Sequence, residues 1–220
     1  MGRTDWAPSA VLFDMDGVLL DSEVLARRLW IKKFREYGYE LPESTYQLVI
    51  GRTMAAAYDV FSERYPDAPL DQMFREQDLE YRAEAAKGKQ LKPGVIEALS
   101  WLREHGIPTA VGSSTYGDDV EAALQVNGIR EYFDVVVAGD QVAHGKPAPD
   151  IFLKCAELLG VRPDQCIVIE DSKNGLIAAH AAGMEPVMVP DLLSAADVRA
   201  SVDFDFAVCD SLSDFIKQLD

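Results

Sequence analysis

Short apolar runs recur along the chain, each closed by a polar or turn-forming residue. They are Ala10–Phe13, Thr109–Val111, Val135–Val137, Ile167–Ile169, Val187–Val189 and Phe206–Val208. Short, often β-branched and without polar alternation, they have the pattern of strands buried on both faces. Helical spacing fills the intervals over Val95–His105, Asp118–Val126, Asp150–Leu159 and Ser172–Ala182. A glycine follows each of these: Gly106, Gly128, Gly160 and Gly183. Glycine just past the last periodic residue is a helix stop signal. Strand and helix in alternation predict an α/β fold with a doubly wound parallel sheet.

One stretch breaks the rhythm. From Ser22 to about Gly88 the spacing is helical throughout, over Ser22–Tyr37, Glu43–Val49, Met54–Tyr65 and Leu70–Ala86. Four helices in succession exceed what a single crossover requires. They predict an all-helical cap domain over residues 22–89, inserted into an α/β core made of residues 1–21 and 90–220. The crossings fall near Leu20-Asp21-Ser22 and Lys87-Gly88-Lys89. Trp30 and Phe61 are open to two readings, exposed apolar groups or the core of the cap.

Composition narrows the function classes. The 220 residues carry 21 Lys and Arg against 37 Asp and Glu, a net charge of −16. That balance argues against nucleic acid or an anionic membrane as partner. No run approaches the roughly 18 apolar residues of a spanning helix, and the first residues lack a signal-peptide layout. Three scattered cysteines, Cys155, Cys166 and Cys209, read as packed, reduced thiols of a cytoplasmic protein. Oligomeric state is not set by the pattern, and a monomer is compatible with it.

Candidate chemistry sits at the strand ends. Asp14-Met15-Asp16-Gly17 follows the first run directly. Two carboxylates this close repel unless a cation lies between them, and Mg²⁺ favours carboxylate oxygens, water and phosphate. Taken alone the motif is equally an Asp-Gly turn, and Asp21 is best read as a helix cap. Gly112-Ser113-Ser114-Thr115 ends the second run, with hydroxyls that either bind an anion or cap the next helix. Lys146 stands between Gly145 and Pro147, and the proline holds it out of helical geometry. Glu170-Asp171-Ser172 ends the run Ile167–Ile169, again just before a helix. In open α/β sheets the ligand crevice lies beyond the carboxyl ends of the strands.

With Asp, Ser, Lys and Glu-Asp in that order, the chain resembles the haloacid dehalogenase superfamily. The likeness is to its phosphatase and β-phosphoglucomutase-like branch, with a helical cap after the first strand. It spans Val11–Asp21, Val111–Ser114, Gly145–Pro149 and Ile167–Gly175. The resemblance implies a Rossmann-like core and a Mg²⁺-dependent enzyme acting on a small phosphorylated metabolite. It implies Asp14 as nucleophile, Asp16 as general acid and base, and Ser113, Ser114 and Lys146 as phosphate-binding groups. Metal binding would fall to Asp14, the carbonyl of Asp16, Asp171 and an assisting Glu170. Glu23, Arg27, Arg52 and Thr53 are candidate cap contacts to substrate.

Within that branch a phosphatase is favoured. The position that carries a cap histidine in the mutases is Ala26, and Arg52 stands ahead of the mutase arginine position. A phosphonate-cleaving enzyme would need a cap lysine, whereas Lys32 and Lys33 both read as the exposed face of the first cap helix. A non-catalytic binding protein would have lost one of Asp14, Asp16, Lys146 or Asp171, and all four are present.

Overall fold

The structure, a computed structural model, describes residues 8–49, 54–88 and 90–219. The chain divides into two compact units, Met1–Asp21 with Gln90–Asp220, and Ser22–Lys89. Strand β1 (Ala10–Phe13) is followed by the helices of the second unit: α1 (Ser22–Glu36), α2 (Glu43–Tyr46), α3 (Met54–Arg64) and α4 (Leu70–Ala85). The first unit then resumes with α5 (Val95–Glu104), β2 (Thr109–Ser113), α6 (Gly117–Val126), β3 (Val135–Ala138) and α7 (Asp150–Leu159). It ends with β4 (Cys166–Glu170), α8 (Lys173–Ala181), β5 (Glu185–Met188), α9 (Ala195–Arg199), β6 (Ala207–Val208) and α10 (Leu212–Lys217).

The six strands form one parallel sheet in the order β3-β2-β1-β4-β5-β6. Strand β1 is central and buried along its whole length. Alternation sends Val11 and Phe13 to one face, with α5, α6 and α10, and Ala10 and Leu12 to the other, with α7 and α8. Both faces are therefore dry, which is why the strands read as unbroken apolar runs. The order reverses at β1, so the crevice between the ends of β1 and β4 is where such a sheet holds a ligand.

The two crossings of the first unit lie side by side. Leu20 and Leu91 form an antiparallel bridge, and the Asp21 N–H donates to the Gln90 carbonyl at 2.8 Å. The helical unit has its own core. Trp30, Phe34, Phe61 and Met73 are buried in it, with Trp30 and Phe74 ring centroids 4.6 Å apart and Phe34 and Phe61 4.9 Å apart. Trp30 and Phe61 thus belong to the core of the helical unit and are not exposed.

Lys33 corrects the sequence reading. It is buried, not on an exposed face, and its ammonium meets Glu36 at 2.8 Å, Glu76 at 3.2 Å and Glu80 at 3.6 Å. Burial opposes its charge, but the carboxylates around it outweigh that and hold it up at about 12. Lys33 is thus engaged by three carboxylates of the helical unit, and Lys32 pairs with Glu80, so neither is presented as a free amine.

Candidate active site

Strand β1 delivers two acids to the end of the sheet. The Asp14 N–H donates to the Ile169 carbonyl at 3.0 Å, one rung beyond β1. Met15 turns inward and is fully buried, Asp14 is buried and Asp16 is partly exposed. The chain then doubles back, with the Gly17 N–H on the Leu20 carbonyl at 2.9 Å and the Leu19 and Leu20 N–H groups on the Met15 carbonyl. Gly17 has φ +87°, and a Cβ there would stand 2.4 Å from Asp171 Oδ2. Glycine is required both for the backbone angle and for the approach of Asp171.

Lys146 ties the cluster together. Its Nζ donates to Asp14 Oδ1 at 2.5 Å and to Glu170 Oε1 at 2.6 Å, and lies 4.8 Å from the centre of the Phe152 ring. Glu170 is completely buried. Its other oxygen, Oε2, accepts from the Asp171 N–H at 3.1 Å, the Ser172 N–H at 3.1 Å and the Ser172 hydroxyl at 2.9 Å. Ser172 also caps α8, accepting from the Gly175 N–H at 3.1 Å. The cap and the acid are therefore neighbours with separate duties.

Gly175 makes room for this arrangement. A Cβ on it would fall 1.8 Å from the Glu170 carboxyl. In an exposed helix Gly→Ala stabilises by about 1 kcal/mol; here the sign reverses. Gly175→Ala is expected to cost about 1–3 kcal/mol by overpacking and to pull Glu170 off Lys146. Urea unfolding compared with the unsubstituted chain measures it.

One atom each of Asp14, Glu170 and Asp171 lie within 4.8 Å of one another. Three carboxylates against one ammonium leave two negative charges uncompensated. Burial pushes the Asp14 carboxyl up, Lys146 pulls it down, and Glu170 and Asp16 push it up again, to about 7. Burial, then Glu170, Asp14 and Asp191, raise Asp171 well above its ordinary value. For Lys146 burial works against the charge, yet Asp14 and Glu170 prevail and hold the ammonium above its usual range. A divalent cation is the species that fits: its charge matches the excess, and the donors are hard oxygens.

A pH dependence follows for the metal-free protein. With Asp14 at about 7 when folded and at its ordinary 3.8 when unfolded, the folded state binds the extra proton more tightly between those values. The stability this group contributes is complete below about pH 4 and is lost as pH rises through 7. Chemical denaturation in chelator at pH 5 and pH 8 should give the higher midpoint at pH 5.

Strand β2 contributes hydroxyls. Ser113 is buried, its Oγ accepting from the Thr115 N–H at 3.1 Å, while Ser114 is exposed. Tyr116 occupies the N-cap position of α6, and no side chain caps that helix. The serine hydroxyls are therefore not taken up by capping. Thr115, the third hydroxyl of that motif, donates from Oγ1 to Asp16 Oδ2 at 3.2 Å. The signal that marks it is a third hydroxyl directly past a strand end.

The cap candidates are engaged inside the helical unit. Glu23 accepts from the Tyr46 hydroxyl, and Arg27 pairs with Glu43. Arg52 and Thr53 lie outside the described residues. Among the described residues no helix is long and apolar enough to cross a membrane.

Residues 8–183 match the family model of haloacid dehalogenase-like hydrolases. The fructose-1-phosphate phosphatase YqaB of Escherichia coli is 38% identical over 82% of this chain and 96% of its own length. A phosphorylated carbohydrates phosphatase of Thermotoga maritima is 34% identical over 81% of this chain and 83% of its own. Among solved structures, a putative beta-phosphoglucomutase from Thermotoga maritima superposes with a TM-score of 0.81 at 30% identity, covering 96% of this chain and 97% of that one. The chain belongs to the haloacid dehalogenase-like hydrolase family, and the curated relatives place it among that family's phosphatases.

Proposed function

We propose that this enzyme is a Mg²⁺-dependent phosphatase that hydrolyses a small phosphorylated metabolite, a sugar phosphate in the first instance, through an aspartyl phosphate on Asp14. One observation carries the reading: Asp14, Lys146, Glu170 and Asp171 converge in a buried cluster although Asp14 and Lys146 are 132 positions apart in sequence. The sugar-phosphate class rests on the two curated phosphatases described above.

Asp14 Oδ2, the oxygen not held by Lys146, attacks phosphorus in line while the ester oxygen leaves on the opposite side. Asp16, steadied by Thr115, gives its proton to the departing alkoxide. It then takes a proton from the water that cleaves the acyl phosphate, a role typically worth about 10²–10⁴ in rate. Lys146 and Ser113 bind the phosphoryl oxygens, and Lys146 keeps Asp14 oriented. Asp14, the Asp16 carbonyl and Asp171 would hold Mg²⁺, with Glu170 assisting through Lys146 and the turn into α8. Bound there, the cation supplies Lewis-acid stabilisation of charge on the phosphoryl group. Free, buried Cys155, Cys166 and Cys209 suit a reducing, cytoplasmic location, and the strong acidity disfavours nucleic acid as a partner.

A sugar phosphomutase is the second reading, carried by the structural likeness to the putative beta-phosphoglucomutase. ³¹P NMR of the purified protein with Mg²⁺ and a panel of hexose, hexitol and pentose phosphates separates the two. Inorganic phosphate is the expected product. An isomerised sugar phosphate without net phosphate release overturns the phosphatase reading.

A further inference from the structure

Beyond the end of β5 stands an acid with no part in the chemistry above. Asp191 stands two residues past Val189, whose N–H donates to the Glu170 carbonyl at 2.8 Å. The parallel register of β4 and β5 pairs Glu170 with Met188, so Asp191 lies at the same end of the sheet as Asp171. Its Oδ1 accepts from Lys92 Nζ at 2.5 Å, and both side chains are largely buried, 16% and 11% exposed for Lys92 and Asp191. Lys92 is itself fixed, its N–H donating to the Leu19 carbonyl at 3.0 Å in the turn that follows Asp16. Asp191 Oδ2 is sealed from solvent and has no hydrogen-bond partner among the described residues.

A buried carboxylate oxygen without a donor costs about 1–3 kcal/mol or more, so such an atom calls for a group that satisfies it. Every Lys92 contact the structure gives is to Oδ1 or to backbone, leaving Oδ2 for a donor that arrives with a ligand. Mg²⁺ characteristically keeps several of its waters when bound, and each such water carries two strongly polarised hydrogens.

We infer that Asp191, oriented by Lys92, is a positioning residue whose Oδ2 accepts a hydrogen bond from a water carried by the divalent cation at Asp14 and Asp171. The inference rests on the metal-dependent reading of that site. Outer-shell acceptors of this kind fix the orientation of the metal's own ligands, and their loss typically costs about 10–100-fold in metal affinity. Asp191→Asn is the informative change, because it keeps shape. Lys92 retains the amide oxygen, and the amide N–H₂ turns a donor toward the water.

The test uses Mn²⁺ alone, counted by electron paramagnetic resonance on the full chain without substrate. Asp191→Asn is expected to raise the Mn²⁺ dissociation constant at least tenfold under conditions where the metal-free variant is folded, and a smaller rise overturns the proposal. Asp171→Asn run in parallel separates the two levels: if it binds Mn²⁺ as tightly as the unsubstituted chain, the metal reading itself has failed. Should Asp191→Asn not fold, a crystal structure of the unsubstituted chain soaked in Mn²⁺ decides. A metal-bound water within about 3.2 Å of Asp191 Oδ2 supports the assignment, and Oδ2 facing anything else refutes it. A merely structural Lys92–Asp191 pair would not place that water.

Discussion

Asp14→Asn should lower phosphate release by about 10⁴-fold or more while leaving the fold intact. The size follows from what is removed. A neutral amide is a poor nucleophile. Glu170 has both oxygens engaged, and Asp16 accepts from the Thr115 hydroxyl. A 10⁴-fold loss corresponds to about 5.5 kcal/mol of transition-state stabilisation. The fold should tolerate the change because the Asp14 charge is disfavoured by its own burial. The amide oxygen can still accept from Lys146, so the variant should melt at or above the parent temperature near pH 8. Rapid-quench mass spectrometry gives a second readout: a transient phosphoryl adduct on Asp14 in the parent and none in the variant. An Asp14→Asn protein that turns over within tenfold of the parent would remove the covalent mechanism.

Much of the fold was legible because both faces of the sheet are covered. Strands such as Ala10–Phe13 then advertise themselves as apolar runs, and α7 was read with its observed limits, Asp150–Leu159. The polar ends were harder. Strands β2 and β4 run on to Ser113 and Glu170, because ladder hydrogen bonds take no account of side-chain polarity. Strand β5 begins at Glu185 and includes Pro186, which an apolar-run criterion passes over. Ser113, Lys146 and Glu170-Asp171 could be singled out because each sits beside a strand end or a rigid loop. Lys33 departs from the expectation for a physical reason: Glu76 and Glu80 come from α4, more than forty residues away, and helical spacing within α1 says nothing about them. The Thr115–Asp16 contact and the Lys92–Asp191 pair leave no local pattern for the same reason, each depending on a partner about a hundred positions distant.

Stripping divalent cations should reduce turnover by about 10³-fold or more, and Mg²⁺ should restore it. Removing a single neutral donor to a transition-state oxyanion costs about 10²–10³; here the loss is a double positive charge. Without it, Asp14 and Asp171 either take up protons, which disarms the nucleophile, or leave like charges buried beside the position the phosphate must enter, where they repel strongly. Lys146 cannot make up the difference, since Asp14 and Glu170 already share its ammonium. The same balance predicts a pH effect on binding. Protons compete for Asp14 below about pH 7, so Mg²⁺ affinity should weaken as pH falls from 8 to 6. Because the cation binds only the folded state, saturating Mg²⁺ should raise the melting temperature, and by more at pH 8 than at pH 6. Differential scanning fluorimetry across that range, with phosphate release measured on the same samples, tests both. Undiminished turnover in chelator, together with no Mg²⁺-induced shift at pH 8, would leave the cluster as a structural ion network and the hydrolytic reading without its electrostatic basis.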